Sequence, residues 1–69
     1  MTDEDLLARI TVNPKVMTGK PTIRGMRITV EQIVRAPAAG VPEADLLADY
    51  PELQPEDIQA ALAYAAERL

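Results

Sequence analysis

The sequence predicts a mainly α, small three-helix domain with a short N-terminal β-hairpin or pair of short strands, residues 1–69 forming one unit. Three observations predict it. Helix starts are written at Thr29…Gln32, framed by Ile28 and Ile33, and at Pro55-Glu56-Asp57, framed by Leu53 and Ile58. Behind each start, apolar residues recur at the three- and four-residue spacing of a helix face. Ahead of them, Arg-Ile-Thr-Val occurs twice, at 9–12 and 27–30, on either side of a segment broken by Pro14, Gly19, Pro21 and Gly25.

The first residues favour a short helical turn. Thr2 can cap it, Asp3, Glu4 and Asp5 lie where the helix dipole favours acids, and Leu6, Leu7 and Ile10 are its apolar members. A strand-and-loop region follows over 9–28. Residues 9–12 alternate polar and apolar and are rich in β-branched side chains, which predicts a short strand ended by Asn13-Pro14. From Asn13 to Gly25 the spacing of proline and glycine forbids a long regular element, and Gly19 and Gly25 suit turns that need a positive φ. The second copy of the tetrapeptide fits another short strand, paired with the first across the loop. It cannot extend far, because a helix begins inside it.

That helix is expected over about 30–39. Thr29 and Gln32 make a capping box, and Ile28 and Ile33 a hydrophobic staple. Val30, Ile33 and Val34 share a face, and Gly40 is the stop. Pro37 removes one backbone bond and crowds the preceding turn, at about 3 kcal/mol in a helix interior, so a kink or early end is expected near Ala36. A second helix, about 42–50, opens at Pro42, turns Leu46, Leu47 and Tyr50 inward and stops before Pro51. A third, about 55–68, opens at Pro55 and aligns Ile58, Ala61, Leu62, Ala65 and Leu69. The connection Tyr50–Gln54 has the length of the turn in a helix-turn-helix arrangement.

Composition limits the chemistry. The 69 residues include no Cys and no His, which removes thiol nucleophiles, imidazole bases and the usual zinc ligands. Paired carboxylates for acid–base work need an enclosing cleft, and Asp45, Asp49 and Glu52 lack the glycine-bearing loop of a calcium site, so they read as a solvated face. No enzyme, metal or cofactor is therefore expected. With no Phe, no Trp and two Tyr, the core must come from Leu, Ile, Val and Ala. In a chain that buries only about 60% of its unfolded surface, such a core is thin, which favours a homo-oligomer. Tyr50 and Tyr64 are expected half-buried in it. No apolar run is long enough to span a bilayer, and an acidic start is unlike a secretory leader, so no membrane partner and a cytoplasmic location are expected.

The net charge of −4 is segregated. Residues 6–35 carry Arg9, Lys15, Lys20, Arg24, Arg27 and Arg35 against Glu31 alone, a net of +5. Residues 36–69 carry Arg68 against seven acids, a net of −6, and the first five residues add −3. The split suggests two faces with different partners. It argues against DNA reading by the last helix, whose start holds Glu56 and Asp57, because phosphate neutralisation supplies much of DNA affinity. Gly19-Lys20 is not a nucleotide-binding loop either: Pro14 stands where that motif needs glycine and Pro21 where it needs Ser or Thr.

Residues 9–14 with the run Gly19-Lys20-Pro21-Thr22-Ile23-Arg24-Gly25-Met26-Arg27-Ile28, then Gly40-Val41-Pro42-Glu43, Tyr50-Pro51-Glu52-Leu53 and Glu56-Asp57-Ile58, resemble the domain-of-unknown-function family 433 from about Ile10 to Ala65. Met26, Val41 and Pro37 depart from its usual pattern. The resemblance implies a small helix-turn-helix-like bacterial or archaeal protein. It further implies the antitoxin of a type II toxin–antitoxin pair, binding a PIN-like ribonuclease toxin and, with it, operator DNA. In that role Lys20, Arg24, Arg27 and Arg35 are the candidate partner- or nucleic-acid-binding residues, the loop cations entering an acidic metal site or clamping phosphates. The competing expectation is that the loop cations tie the loop to backbone carbonyls and to acids of the later helices. A stand-alone DNA-binding regulator and a protein–protein interaction module without a nucleic-acid role are the alternatives; composition and charge by themselves favour the last.

Overall fold

The computed structural model describes residues 3–68. Helix α1 (Asp3–Leu7) leads into strand β1 (Ile10–Thr11), and β1 pairs antiparallel with β2 (Thr22–Ile23), Ile10 facing Ile23 and Thr11 facing Thr22. Helices α2 (Val30–Ala38), α3 (Glu43–Asp49) and α4 (Pro55–Glu67) complete the domain, which is mainly helical with the short antiparallel pair near its N-terminus. No helix among the described residues is long and apolar enough to cross a membrane.

The core is one cluster. Ile23, Ile28, Val30, Ile33, Leu46, Leu53, Ile58 and Ala61 are buried together, and Ile10, Met26, Val34, Leu47, Tyr50 and Tyr64 pack around them. The residues of both expected staples lie in this cluster: Ile28 and Ile33 at the start of α2, Leu53 and Ile58 at the start of α4. The tyrosines are half-buried, as their apolar rings and polar tips favour.

The strand pairing differs from the expectation. The two Arg-Ile-Thr-Val copies do not pair with each other, because Thr22-Ile23 lies between them. The loop folds back so that β2 meets β1 on one edge and the second copy on the other. There Thr22 bridges Thr29, the Ile23 N–H donates to the Ile28 carbonyl at 3.0 Å and the Val30 N–H to that of Pro21 at 3.0 Å. The reversal between β2 and Ile28 is a tight turn. The Met26 N–H donates to the Ile23 carbonyl at 2.8 Å, and Arg24 and Gly25 both have positive φ (47° and 74°), as a type I′ turn requires.

The capping box is present in full: the Gln32 N–H donates to Thr29 Oγ1 at 3.1 Å and the Thr29 N–H to Gln32 Oε1 at 3.0 Å. Pro37 does not end α2 near Ala36; the helix runs on to Ala38. The proline sits in the last turn, so it deletes a single intrahelical bond. The last-turn carbonyls of Ala36 and Pro37 are taken by the stop, where Gly40 (φ +85°) donates to Pro37 and Val41 to Ala36, the paired bonds of a Schellman motif. Pro42 is extended (φ −64°, ψ 151°) and precedes α3 instead of opening it, whereas Pro55 does open α4.

Helix α4 buries a different arc from the one its large apolar residues suggest. Asp57, Ile58, Ala60 and Ala61 are buried, while Leu62 is 44% exposed. Helix α4 packs against both α1 and α2, its buried residues fall within 57–61, and Leu62 turns outward. Thr2 as a cap and Leu69 as a face member lie outside the described residues.

Candidate functional site

The 13–27 segment is shaped by a series of backbone constraints. Asn13 Oδ1 accepts from the Lys15 N–H at 2.9 Å, a side-chain turn that folds the chain after Pro14. Met17, Thr18 and Gly19 follow with φ of 49°, 55° and 83°. Left-handed backbone costs a residue bearing a Cβ about 1–2 kcal/mol, and it persists here in two consecutive non-glycine residues. Around this bend Lys15, Met17, Thr18, Lys20 and Arg27 line an open concavity of about 370 Å³. Lys20 and Arg27 are thus brought together, and Lys15, which belongs with them, was not singled out from the sequence although it lies in the same loop.

Arg24 is not part of this group. Its guanidinium turns to the start of α4, where Nε donates to Asp57 Oδ1 at 3.1 Å and Nη2 to Asp57 Oδ2 at 2.9 Å, with Nη2 also reaching the Glu52 carbonyl at 2.9 Å. Arg9 Nη1 approaches from the strand side and donates to Asp57 Oδ1 at 2.9 Å and to Gln54 Oε1 at 3.0 Å. The Gln54 N–H fills the remaining place on Oδ2 at 2.9 Å. Asp57 is fully buried, whereas the side chains of Arg9 and Arg24 keep 21% and 37% of their exposure. Burial pushes the Asp57 carboxyl up, but the bonds from Arg24, Gln54 and Arg9 and the charge of Arg24 outweigh it and hold the group below the ordinary carboxylate range. The Arg24 guanidinium, hydrogen-bonded to Asp57, is correspondingly raised.

Arg24 is held for this task by its backbone as well as its side chain. Its N–H donates to the Arg9 carbonyl at 2.7 Å, and the Gly25 N–H to Thr11 Oγ1 at 2.9 Å. The loop-to-helix tie expected as the competing role is what Arg24 performs, and Asp57 does not face outward. The cluster joins β1, the β2 turn and α4. No buried side-chain polar atom among the described residues lacks a hydrogen bond.

Arg35 stands apart again. It is 78% exposed on α2 and pairs with Glu31 one turn earlier, while Lys20 Nζ reaches the other Glu31 oxygen at 3.6 Å. Glu31 therefore links Lys20 to Arg35. Among the described residues, Lys15 and Arg27 have no such ion pair. No group of His, Cys, Asp or Glu suited to holding a metal ion occurs among the described residues.

A second feature adjoins the first. Between α2 and α4, Val30, Val34, Tyr64 and Ala65 wall a mostly apolar cleft of about 300 Å³ with Lys20 and Arg68 at its edge. Arg68 stacks on the Tyr64 ring, 3.9 Å from its centre.

A family described as protein of unknown function, DUF433, matches residues 10–65. The chain belongs to the DUF433 family. A crystal structure of a DUF433 member protein from Anabaena variabilis ATCC 29413 is similar over 93% of this chain, with 38% sequence identity and a TM-score of 0.82. The chain spans 63% of that protein's length. No functionally curated protein shows significant similarity to it.

Proposed function

We propose that this DUF433 chain is the antitoxin-like half of a toxin–antitoxin pair, a non-catalytic module that holds a PIN-like ribonuclease, with operator DNA as a partner of the assembled pair. The observation that carries this reading is the gathering of Lys15, Lys20 and Arg27 around one open concavity, with the loop's remaining cation, Arg24, committed to Asp57. A nuclease that binds metal through clustered acids offers the complementary surface. Arginine meets carboxylates through its planar fork, lysine as a mobile point charge, and opposed potentials raise both encounter rate and specificity. Direct DNA reading by the later helices is disfavoured, since Glu43, Asp45, Asp49 and Glu56 lie on α3 and the start of α4 and would meet phosphates with like charge.

The test is co-expression with the product of the adjacent open reading frame, followed by purification through a tag on this chain. The reading expects a complex stable at moderate salt, restored host growth, and loss of both in the triple variant K15E/K20E/R27E with its melting temperature little changed. If no complex forms and the neighbour is harmless, the reading falls. Salt-sensitive binding of the isolated chain to its own upstream DNA would then point to a stand-alone regulator.

A further inference from the structure

We infer that the cleft between α2 and α4 is the apolar half of the partner-binding surface and receives one large apolar side chain of the toxin, leucine- or phenylalanine-sized, flanked by carboxylates. The inference rests on the proposed role of the cationic loop and extends it. Two observations carry it. The cleft and the basic concavity share Lys20, so they form one continuous surface in which apolar and cationic parts adjoin. The cleft is also bordered by cations on two sides: Lys20 from the loop and Arg68 from the end of α4, the latter laid over Tyr64. The acid at its edge, Glu31, is already paired with Lys20 and Arg35.

At about 300 Å³ the cleft is at the small end of ligand sites, which run to roughly 1,000 Å³, and it is open. That suits a single protruding anchor. Interfaces concentrate their energy in such anchors, seated in a desolvated pocket and ringed by polar contacts. Apolar walls take the anchor, and Lys20 and Arg68 select acids beside it. A segment with lysines flanking the same anchor would place like charges together, which is how such a surface rejects a wrong partner.

Three short capped peptides serve as probes, followed by the amide resonances of the uniformly 15N-labelled chain: phenylalanine flanked by glutamates, phenylalanine flanked by lysines, and alanine flanked by glutamates. The first should shift the amides of Val30, Val34 and Ala65 saturably, and the other two should bind at least tenfold more weakly. Arg68→Glu, a change at an exposed position, should weaken the first peptide at least tenfold, and Ala65→Trp should abolish its binding by filling the cleft. Equal binding of the three peptides, shifts that map elsewhere, or no saturable shift overturns the inference. The same variants in the co-expressed complex separate it from the reading on which it rests. A wild-type complex whose affinity is indifferent to both changes removes the cleft and leaves the cationic loop. Peptide selectivity without any toxin complex removes the antitoxin role and leaves the chemistry of the cleft.

Discussion

Replacing Asp57 by Asn tests whether the buried carboxylate holds the strand layer to the helices. The substitution keeps shape and removes charge. The carboxylate accepts four bonds: two on Oδ1, from Arg9 and the Nε of Arg24, and two on Oδ2, from Arg24 Nη2 and the Gln54 N–H. An amide oxygen in the Oδ1 position keeps the first two at reduced strength, but its NH2 then faces two donors. A hydrogen bond to a charged group contributes about 1.5–3 kcal/mol and a stranded buried donor costs about 1–3. Both arginines reach solvent and recover part of their hydration, so the loss should lie near 3 kcal/mol, not at the 5 kcal/mol upper end for a fully buried broken pair. A chain of 69 residues has roughly 3–10 kcal/mol in all, and each kcal/mol moves the midpoint by about 4–8 °C in a domain this size. Urea unfolding followed by far-UV circular dichroism from pH 7 to pH 3 gives the answer. The folded carboxyl titrates below its unfolded value of about 3.9, so its contribution is complete above that value and is lost as the pH falls through the lower, folded one. The wild type should weaken over that range, D57N should not follow it, and the gap between them should narrow. A penalty below about 1 kcal/mol at pH 7, or one that stays constant with pH, would refute the assignment, since exposed pairs contribute no more than that.

Three further outcomes follow from the same contacts. Thr29→Ala removes one arm of the α2 capping box and should cost about 1 kcal/mol in urea unfolding, within the range for N-caps. Gly40→Ala should cost about 1–2 kcal/mol through backbone strain alone, because a Cβ there meets nothing within 4 Å while φ is +85°. Leu62→Lys should change stability by less than about 0.5 kcal/mol, whereas Ile58→Ala, four residues earlier on the same helix, should cost about 2–5; calorimetry of the pair checks the orientation of α4.

What was legible in the sequence was local. The capping box, the staples at Ile28/Ile33 and Leu53/Ile58, the Gly40 stop and Pro55 at the head of α4 are patterns written within a few residues. The pairing of β2 was not, because Thr22-Ile23 is too short to announce a strand and its position between the two tetrapeptides depends on how the loop returns. Which acid of the later helices receives the loop cations is not local either: Arg9 and Arg24 lie 48 and 33 residues from Asp57. One signal for its burial was nevertheless present. Counting back from Tyr64, Ala61 and Ala60 by helical steps places Asp57 on their face, and an acid on a buried face demands cations from elsewhere in the chain. Leu62 misled because its size suggested burial where the smaller Ala60 is the residue enclosed.

The charge split along the sequence therefore does not carry over whole into space. Arg9 and Arg24 belong to the basic stretch by number, yet both are spent on Asp57 of the acidic stretch, so each half loses charge at the seam where strands meet α4. Arg35 and Lys20 share Glu31, which reduces their joint field without burying either. What remains open to a partner among the described residues is Lys15, Lys20 and Arg27 around the concavity, with Arg35 exposed on α2 and Arg68 at the apolar cleft. Charge reversal at Arg24 would confound binding with folding, because it strands a buried carboxylate. Reversal at Lys15 or Arg27 removes only a surface charge, so a lost complex there reports on the interface itself.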